Sequence, residues 1–159
     1  MTTPAVGPIA VHEVDALVAL MRDTIQPLSY YNERARRAEL AKYSADGLRS
    51  LVAEDPQAVL VARDRTGLIG FCVSRHDDGT LWLSWFGTAS RARGRGVGAS
   101  LLAALAKTLP SRHAHKIWCD SRVDNTQSQS VLERAGFHRI TTLTNHWYEQ
   151  DYYLWEWYP

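Results

Sequence analysis

The sequence predicts a single α/β domain whose mixed sheet is mostly antiparallel. A chain of 159 residues can bury one sizeable core but is too short for two ordinary domains. Three strand-like segments joined by short turns lie in the middle of the chain and predict an antiparallel meander. A strand, a helix and another strand follow, and this order predicts a parallel pair with a crossover connection. Helical patterns on either side supply the layers that cover the sheet.

Two helical zones precede the strands. Apolar residues recur at helical spacing from Val14 to Met21 and predict a first helix over about 11–24. A second zone runs over about 32–54 and is predicted to break near Ser44, whose side chain can cap a new helix. We expect these helices to flank a ligand site.

The remaining elements follow from changes of period and from turn residues. Turns at Arg65–Gly67 and His76–Gly79 separate the three meander strands. Asn125 can cap a later helix, and Gly136 suits the left-handed position at its C-terminal end. The predicted ranges are 58–63, 68–74 and 81–88 for the meander strands, 97–109 for a helix, 116–120 for a strand, 125–135 for a helix, 137–142 for a strand, and 145–148 with 152–158 for a final aromatic strand.

Composition argues against several classes of function. The formal net charge is +1 and the basic clusters are short, so we expect no nucleic-acid partner. No apolar run approaches the roughly 18 to 20 residues of a membrane span, and the N-terminal segment lacks the regions of a secretory signal. We therefore expect a cytoplasmic protein with no membrane partner.

The sequence offers neither a disulfide framework nor a metal site. Cys72 and Cys119 are the only cysteines, and each lies in a predicted buried strand, which favours reduced thiols. His113 and His115 form the only close histidine pair, and no carboxylate or thiol stands at a matching ligand spacing. We expect a surface loop there and no metal.

The segment Arg93–Gly98, between a predicted strand and a predicted helix, is the most informative part of the chain. Its glycines leave backbone N–H groups uncovered at a helix N-terminus, where the helix dipole and the unpaired donors favour an anion. The interleaved arginines add positive charge. This segment therefore predicts a cradle for phosphate.

A dinucleotide-binding fingerprint is the competing interpretation of these glycines. Gly94, Gly96 and Ala99 fit G-x-G-x-x-(G/A), and Asp120 lies at the end of a later strand. However, the glycines follow a meander instead of opening the chain, and only about 39 residues remain after Asp120, too few for the rest of a doubly wound sheet. The absence of a G-K-(S/T) sequence argues against a P-loop.

Two motifs, each in the expected structural context, carry a resemblance to a known family. Arg93, Gly96 and Gly98 fit (Q/R)-x-x-G-x-(G/A). The pattern N-x-x-(A/S), followed by an apolar pair, an acidic residue and G-F, is matched by Asn125, Ser128, Val131, Leu132, Glu133, Gly136 and Phe137. The segment from Leu81 to about Ile140 thereby resembles the core of the GNAT superfamily of N-acetyltransferases, whose co-substrate is acetyl-coenzyme A.

The resemblance implies how this co-substrate is held. In the family, the strands corresponding to Leu81–Thr88 and Lys116–Asp120 splay apart, and acetyl-coenzyme A fills the opening. Asn125 and Ser128 are expected at the pantetheine arm or the departing sulfur. The resemblance further implies pairing of the pantetheine amides with Phe86, Gly87 and Thr88, and binding of the pyrophosphate by the backbone amides of Arg93, Gly94, Arg95, Gly96, Val97, Gly98 and Ala99.

The implied reaction is direct attack of a neutral amine on the thioester, with both substrates bound together. An alkyl ammonium has a pKa of about 10.4 and must first lose a proton. Asp120 is the preferred general base because it aligns with a glutamate often found at this position in the family. The competing interpretation is an aspartate that ends a strand and caps the next turn. Glu149 and Asp151 are the alternative bases.

The chain departs from the family at one position of the second motif. Many members carry a tyrosine that protonates the leaving thiolate, four residues before the glycine of G-F, and this chain has Leu132 there. A thiol with a pKa of about 8.5 can leave as the thiolate at a cost of roughly 2 kcal/mol at pH 7. Otherwise Ser128, Tyr148 or Tyr152 donates the proton from another direction.

The sequence leaves the acceptor open between a small-molecule amine and a peptide amine. The near-neutral charge argues mildly against a strongly charged polymer. A non-catalytic sensor that binds coenzyme A is the alternative function, and transfer of a longer acyl group is a third. The aromatic tail is predicted mostly to pack on the sheet, with one face as a candidate homodimer contact.

Overall fold

A mixed sheet forms the centre of the computed structural model, which describes residues 3–159. The strands are β1 (Ala5–Pro8), β2 (Val59–Asp64), β3 (Gly67–Asp77), β4 (Thr80–Thr88), β5 (Lys116–Arg122), β6 (His138–Leu143) and β7 (Tyr152–Trp157). Among the described residues they form one sheet in the order β1-β2-β3-β4-β5-β7-β6. The β4–β5 pair is parallel and the other neighbours are antiparallel. The predicted mixed, mostly antiparallel sheet is confirmed.

The helices begin and end close to their predicted positions. They are α1 (Val14–Ile25), α2 (Glu33–Lys42), α3 (Ala45–Glu54), α4 (Val97–Lys107) and α5 (Thr126–Arg134). The predicted break between α2 and α3 is confirmed, because Oγ of Ser44 accepts a hydrogen bond from the backbone N–H of Gly47 (3.1 Å). Asn32 caps α2 in the same way, accepting from the N–H of Ala35 (2.8 Å).

Two apolar clusters hold the helices on opposite faces of the sheet. Strand side chains alternate between the faces, so neighbouring residues of β3 fall in different clusters: Cys72 in one, Phe71 and Val73 in the other. The first cluster includes Leu81, Leu83, Leu101, Leu105, Ile117 and Leu132. The second includes Leu17, Met21, Ile25 and Leu48. Helices α4 and α5 therefore cover one face, and α1 and α3 cover the other.

Both cysteines lie in the core. Cys72 is 0% exposed and Cys119 is 2% exposed, and both are free thiols. The prediction of reduced, buried thiols is confirmed.

Within residues 3–159, no helix is long and apolar enough to cross a membrane. The same residues contain no group of three or more histidine, cysteine, aspartate or glutamate side chains that could hold a metal ion.

Two predictions at the ends of the chain are corrected. The segment 145–148 was expected to be part of a strand, but it lies in the loop between β6 and β7, which contains a 3₁₀ turn over Trp147–Glu149. Asn145, Tyr148 and Glu149 have positive φ there, which an extended strand cannot accommodate. Strand β1 was not predicted, because its four residues include Gly7 and Pro8 and become a strand only by pairing with β2.

The β4–β5 pairing is short, and this shapes the centre of the molecule. Only Thr80–Trp82 pair with Lys116–Trp118. A β-bulge at Ser84 follows directly, since the β3–β4 register shifts by one residue there, and a bulge adds local twist. The two strands therefore diverge towards their C-terminal ends, as expected, and β4 presents an unpaired edge over residues 83–88.

Candidate active site

The chain enters α4 through two glycines in the left-handed conformation. Gly94 and Gly96 both have φ of +75°, and a Cβ built on either would meet no atom within 4 Å. Gly96 is the residue directly before the helix, and its carbonyl accepts the hydrogen bond from the N–H of Ser100 (3.0 Å). The first N–H groups of α4 have no acceptor within the helix, an arrangement that attracts anions.

Close packing and one ion pair fix this cradle against the sheet. A Cβ at Gly70 of β3 would lie 2.6 Å from a methyl carbon of Val97, so only glycine allows the first turn of α4 to sit this close. Nη1 of Arg95 lies 3.3 Å from the carboxylate of Asp64 at the end of β2. Arg95 thus braces the glycine segment, whereas Arg93 is exposed.

The unpaired edge of β4 comes shortly before the glycine segment in the sequence. Phe86, Gly87 and Thr88 use one edge to pair with β3, and their other edge has no partner in β5. An unpaired strand edge can bind the amide groups of an extended ligand through main-chain hydrogen bonds. The diverging strands therefore fit a ligand that carries amides at one end and phosphates at the other.

Helix α5 begins four residues after the end of β5, at the end of that strand where β4 and β5 have diverged. Oδ1 of Asn125 accepts a hydrogen bond from the backbone N–H of Ser128 (3.1 Å), which fixes the first turn of the helix. Leu132, at the position where many family members have tyrosine, is completely buried in the first apolar cluster. It supplies no polar group to the opening.

Asp120 lies on β5, two residues beyond the last pair shared with β4. Burial raises the pKa of its carboxyl from 3.8 to about 6. The indole N–H of Trp147 donates to Oδ2 of Asp120 (2.7 Å) and lowers this pKa, while the nearby carboxylate of Glu39 raises it. Asp120 is therefore a carboxylate that exchanges its proton near neutral pH.

Glu39 of α2 is a buried carboxylate that was not among the predicted site residues. Its Oε2 accepts from the indole N–H of Trp85 on β4 (2.8 Å), and its Oε1 accepts from the hydroxyl of Tyr148 (2.8 Å). The sequence carried only the spacing as a signal: Ala35, Glu39 and Tyr43 are four apart. The structure shows that all three are buried, so an acid occupies the buried face of a helix.

Two loops meet above these carboxylates: the α1–α2 loop (26–32) and the β6–β7 loop (144–151). The side-chain amide of Asn32 donates to the carbonyl of Tyr148 (2.9 Å). The side-chain amide of Gln150 donates to the carbonyl of Tyr30 (3.1 Å). The β6–β7 loop is thus tied across to the α1–α2 loop and covers the Asp120 side of the opening.

The two tyrosines considered as proton donors lie on this same side. Burial and the hydrogen bond to Glu39 raise the pKa of Tyr148 to about 12, so its proton is already engaged. Tyr152 is buried, and burial is the main cause that raises its pKa.

The two alternative bases have other partners. Glu149 is exposed, and the nearest cation is Arg34, at 3.9 Å. Oδ1 of Asp151 accepts the N–H of Asn145 (2.7 Å), a contact that shapes the β6–β7 loop.

Residues 18–137, about three quarters of the chain, match the sequence model of the Acetyltransferase (GNAT) family. The chain belongs to this family. The predicted enzyme class, an acetyl-coenzyme A-dependent N-acetyltransferase, is confirmed, and the dinucleotide-binding interpretation is set aside. N-alpha-acetyltransferase 30 of Schizosaccharomyces pombe is 29% identical over 106 residues, which cover 64% of this chain and 71% of that protein.

Solved structures of acetyltransferases share the fold at low sequence identity. PaiA N-acetyltransferase from Thermoplasma acidophilum, in complex with coenzyme A, superposes with a TM-score of 0.84 at 16% identity, covering 99% of this chain and 100% of that one. YncA, a putative acetyltransferase from Salmonella typhimurium with acetyl-coenzyme A, gives 0.74 at 16% identity, covering 99% and 94%. Ribosomal-protein-alanine N-acetyltransferase from Brucella melitensis gives 0.77 at 21% identity, covering 98% and 99%.

Proposed function

We propose that this GNAT acetyltransferase moves the acetyl group of acetyl-coenzyme A directly to a primary amine while both substrates are bound. The observation that carries the proposal is the position of Asp120. Its carboxyl lies just beyond the point where β4 and β5 diverge and beneath the β6–β7 loop, and its pKa is about 6. Asp120 can therefore act as a general base for an amine that binds between the gap in the sheet and the two loops.

The residues around the opening fit acetyl-coenzyme A, which supplies an activated thioester. We assign the pyrophosphate to the backbone N–H groups of residues 94–99, because α4 begins there with N–H groups that have no acceptor in the helix. The N–H of Arg93, which was also expected to bind it, instead donates to the carbonyl of Ser90 (3.4 Å). We assign the pantetheine amides to the free edge of residues 86–88. Asn125 and Ser128 stay assigned to the pantetheine arm or the sulfur, since the first turn of α5 presents them together.

Asp120 accepts the proton that the acceptor ammonium must lose. At pH 7 its carboxyl is mostly ionised, because its pKa is about 6. The neutral amine attacks the thioester carbon, and the new C–N bond forms. The C–S bond then breaks, and the electron pair leaves with the sulfur as a thiolate. The nitrogen still carries one proton more than the amide product; this proton passes to solvent, while solvent, Ser128 or Tyr148 protonates the thiolate. Tyr148 must first release Glu39 to do so.

A peptide amine is the acceptor class that we place first. N-alpha-acetyltransferase 30 from fission yeast matches 64% of this chain, which supports an N-terminal α-amine over a small-molecule amine. The aromatic residues around the two carboxylates suit a desolvated amine on either kind of acceptor. We also propose a cytoplasmic location and retain a homodimer contact through exposed tail aromatics such as Tyr158.

The proposal is tested by acetyl transfer to a panel of amines, with mass spectrometry of the acceptor as the readout. The panel contains short peptides with different free N-terminal residues, the same peptides with blocked N-termini, free lysine and a polyamine. We expect acetylation of free but not blocked peptides. If calorimetry detects coenzyme A binding but no amine in a broad panel is acetylated, the protein is a coenzyme A sensor. If only propionyl- or butyryl-coenzyme A supports transfer, the acyl group is longer than acetyl.

A further inference from the structure

Arg122 is a buried arginine at the C-terminal end of β5. It is 7% exposed. Its Nε donates to the carbonyl of Tyr30 in the α1–α2 loop (3.3 Å), and its Nη1 donates to the carbonyl of Asp151 in the β6–β7 loop. Its Nη2 pairs with the carboxylate of Asp124 (3.1 Å). One guanidinium thus contacts both loops that cover the Asp120 side of the opening.

The chemistry of the guanidinium explains why arginine occupies this position. A planar group with five N–H donors can satisfy several carbonyls in different directions, whereas the ammonium of lysine is a single point of charge. The guanidinium carbon also lies 5.5 Å from the centre of the Tyr152 ring, so the ring face supports it. Without this side chain, two main-chain carbonyls lose a charged donor.

The other contacts between the loops come from the loops themselves. Asn32 donates to Tyr148, and Gln150 donates to Tyr30. Arg122 instead belongs to the sheet and lies two residues from Asp120 on the same face of β5, because strand side chains alternate. It therefore fixes both loops relative to the strand that carries the proposed base.

We infer that Arg122 is a positioning residue for the acceptor. It holds the α1–α2 loop and the β6–β7 loop in place around the amine without touching the reacting atoms. The inference rests on the proposed function, because it assumes that the acceptor binds beneath these loops. It predicts that weakening Arg122 loosens both loops together and weakens acceptor binding more than acetyl-coenzyme A binding.

Arg122→Lys tests this inference, with Arg112→Lys as the matched control. Arg112 is also 7% exposed. Its guanidinium donates hydrogen bonds to the carboxylate of Asp55 (2.9 Å) and to the hydroxyl of Ser74 (2.8 Å), and neither residue belongs to the two loops. Hydrogen exchange measured by mass spectrometry should accelerate by about tenfold or more in both loops of Arg122→Lys, since a lost charged hydrogen bond is worth that much. Arg112→Lys should leave exchange in these loops unchanged.

Steady-state kinetics with the peptide acetylated in the panel supply a second readout. We expect Arg122→Lys to raise the KM for the peptide by about tenfold and to change the KM for acetyl-coenzyme A by less than about twofold. Arg112→Lys should alter neither KM. A larger loss of acetyl-coenzyme A affinity than of peptide affinity, or unchanged exchange in both loops, overturns the inference.

Two further measurements test the role of Arg122 even if the variant misfolds or if the proposed acetyl transfer is not observed. Hydrogen exchange needs no acceptor, so it tests the loops even if no amine in the panel is acetylated. If Arg122→Lys does not fold by circular dichroism, Arg122→Gln replaces it, because the neutral amide removes the charged donors to the carbonyls of Tyr30 and Asp151. Faster exchange in both loops of that variant supports the inference, and unchanged exchange contradicts it.

Discussion

Two carboxylates of this enzyme occupy different chemical environments a short distance apart. Glu39 accepts hydrogen bonds from the indole N–H of Trp85 and the hydroxyl of Tyr148, and the ammonium of Lys42 lies 3.4 Å from its Oε1. Asp120 accepts a single side-chain donor, from Trp147, and burial raises its pKa to about 6. Asp120 combines a raised pKa with a position at the opening, which is why we assign the proton transfer to it.

Asp120→Asn should lower kcat by about a hundredfold or more, because an amide cannot accept the proton of the amine. In the wild-type enzyme, the rate should fall as the pH drops through about 6, where Asp120 becomes protonated. Measurement of kcat/KM against pH should find this acidic limb in the wild type and not in the variant. Glu149→Gln changes an exposed acid and should keep the limb. Persistence of the limb in Asp120→Asn rules out this role.

Trp147→Phe should move the acidic limb to higher pH. The indole N–H stabilises the ionised carboxylate of Asp120, so its removal raises the pKa of that group. The midpoint of the pH–rate profile measures this change directly. Tyr158→Phe, at an exposed aromatic residue after β7, should leave the midpoint where it is. A midpoint that stays the same or falls in Trp147→Phe would mean that the indole does not tune the base.

The family resemblance pointed to Asp120 as a candidate base, because a glutamate often stands at this position, but nothing pointed to Glu39. The reason is the distance along the chain from Glu39 to its partners. Glu39 gains its environment from Trp85, 46 residues away, and from Tyr148, 109 residues away. Nothing in the local sequence of α2 specifies those contacts.

The glycine segment and α4 were predicted well because their conformation is encoded locally. Positive φ at Gly94 and Gly96 is a property of single residues, and the leucine spacing of α4 is a property of one helix. The Ser84 bulge and strand β1 depend instead on the register of neighbouring strands. The divergence of β4 and β5 was therefore expected from family resemblance and not from the residues themselves.

Gly96→Ala should weaken coenzyme A binding by about tenfold, with Gly67→Ala as its control. Both glycines have positive φ, and a methyl group added at either would meet no atom within 4 Å. Each variant should lose at least about 1 kcal/mol of stability, because a Cβ strains the left-handed backbone. Only the methyl group at Gly96 enters the proposed phosphate cradle. Calorimetric titration of coenzyme A measures the difference, and equal affinities in the two variants would disprove the cradle.

The stability of the whole molecule is linked to the proton on Asp120. Its folded-state pKa of about 6 exceeds the ordinary value of 3.8, so the fold favours the neutral form. Between these two pH values the folded state binds more protons than the unfolded state, and the free energy of unfolding therefore falls as the pH rises. Above about pH 6 the penalty is complete, at up to about 3 kcal/mol.

Asp120→Asn should relieve this penalty while abolishing most of the activity. We expect the variant and the wild type to have similar stability at pH 4, and the variant to be more stable at pH 8. Urea unfolding at the two pH values gives the comparison. Asp23→Asn, an exposed acid on α1, should produce no such pH-dependent difference. A variant less stable than the wild type at pH 8 would contradict the burial of a charged Asp120.

The placement of Cys72 and Cys119 in the core affects how the enzyme can be studied. Burial raises the pKa of both side chains, and the reactive species of cysteine is the ionised one. Chromogenic disulfide reagents added to the native enzyme will therefore titrate only the sulfhydryl of the coenzyme liberated during turnover. After denaturation the same reagents react with two further sulfhydryl groups per chain. One colour reaction can therefore follow turnover in the native state and count unfolded molecules during heating.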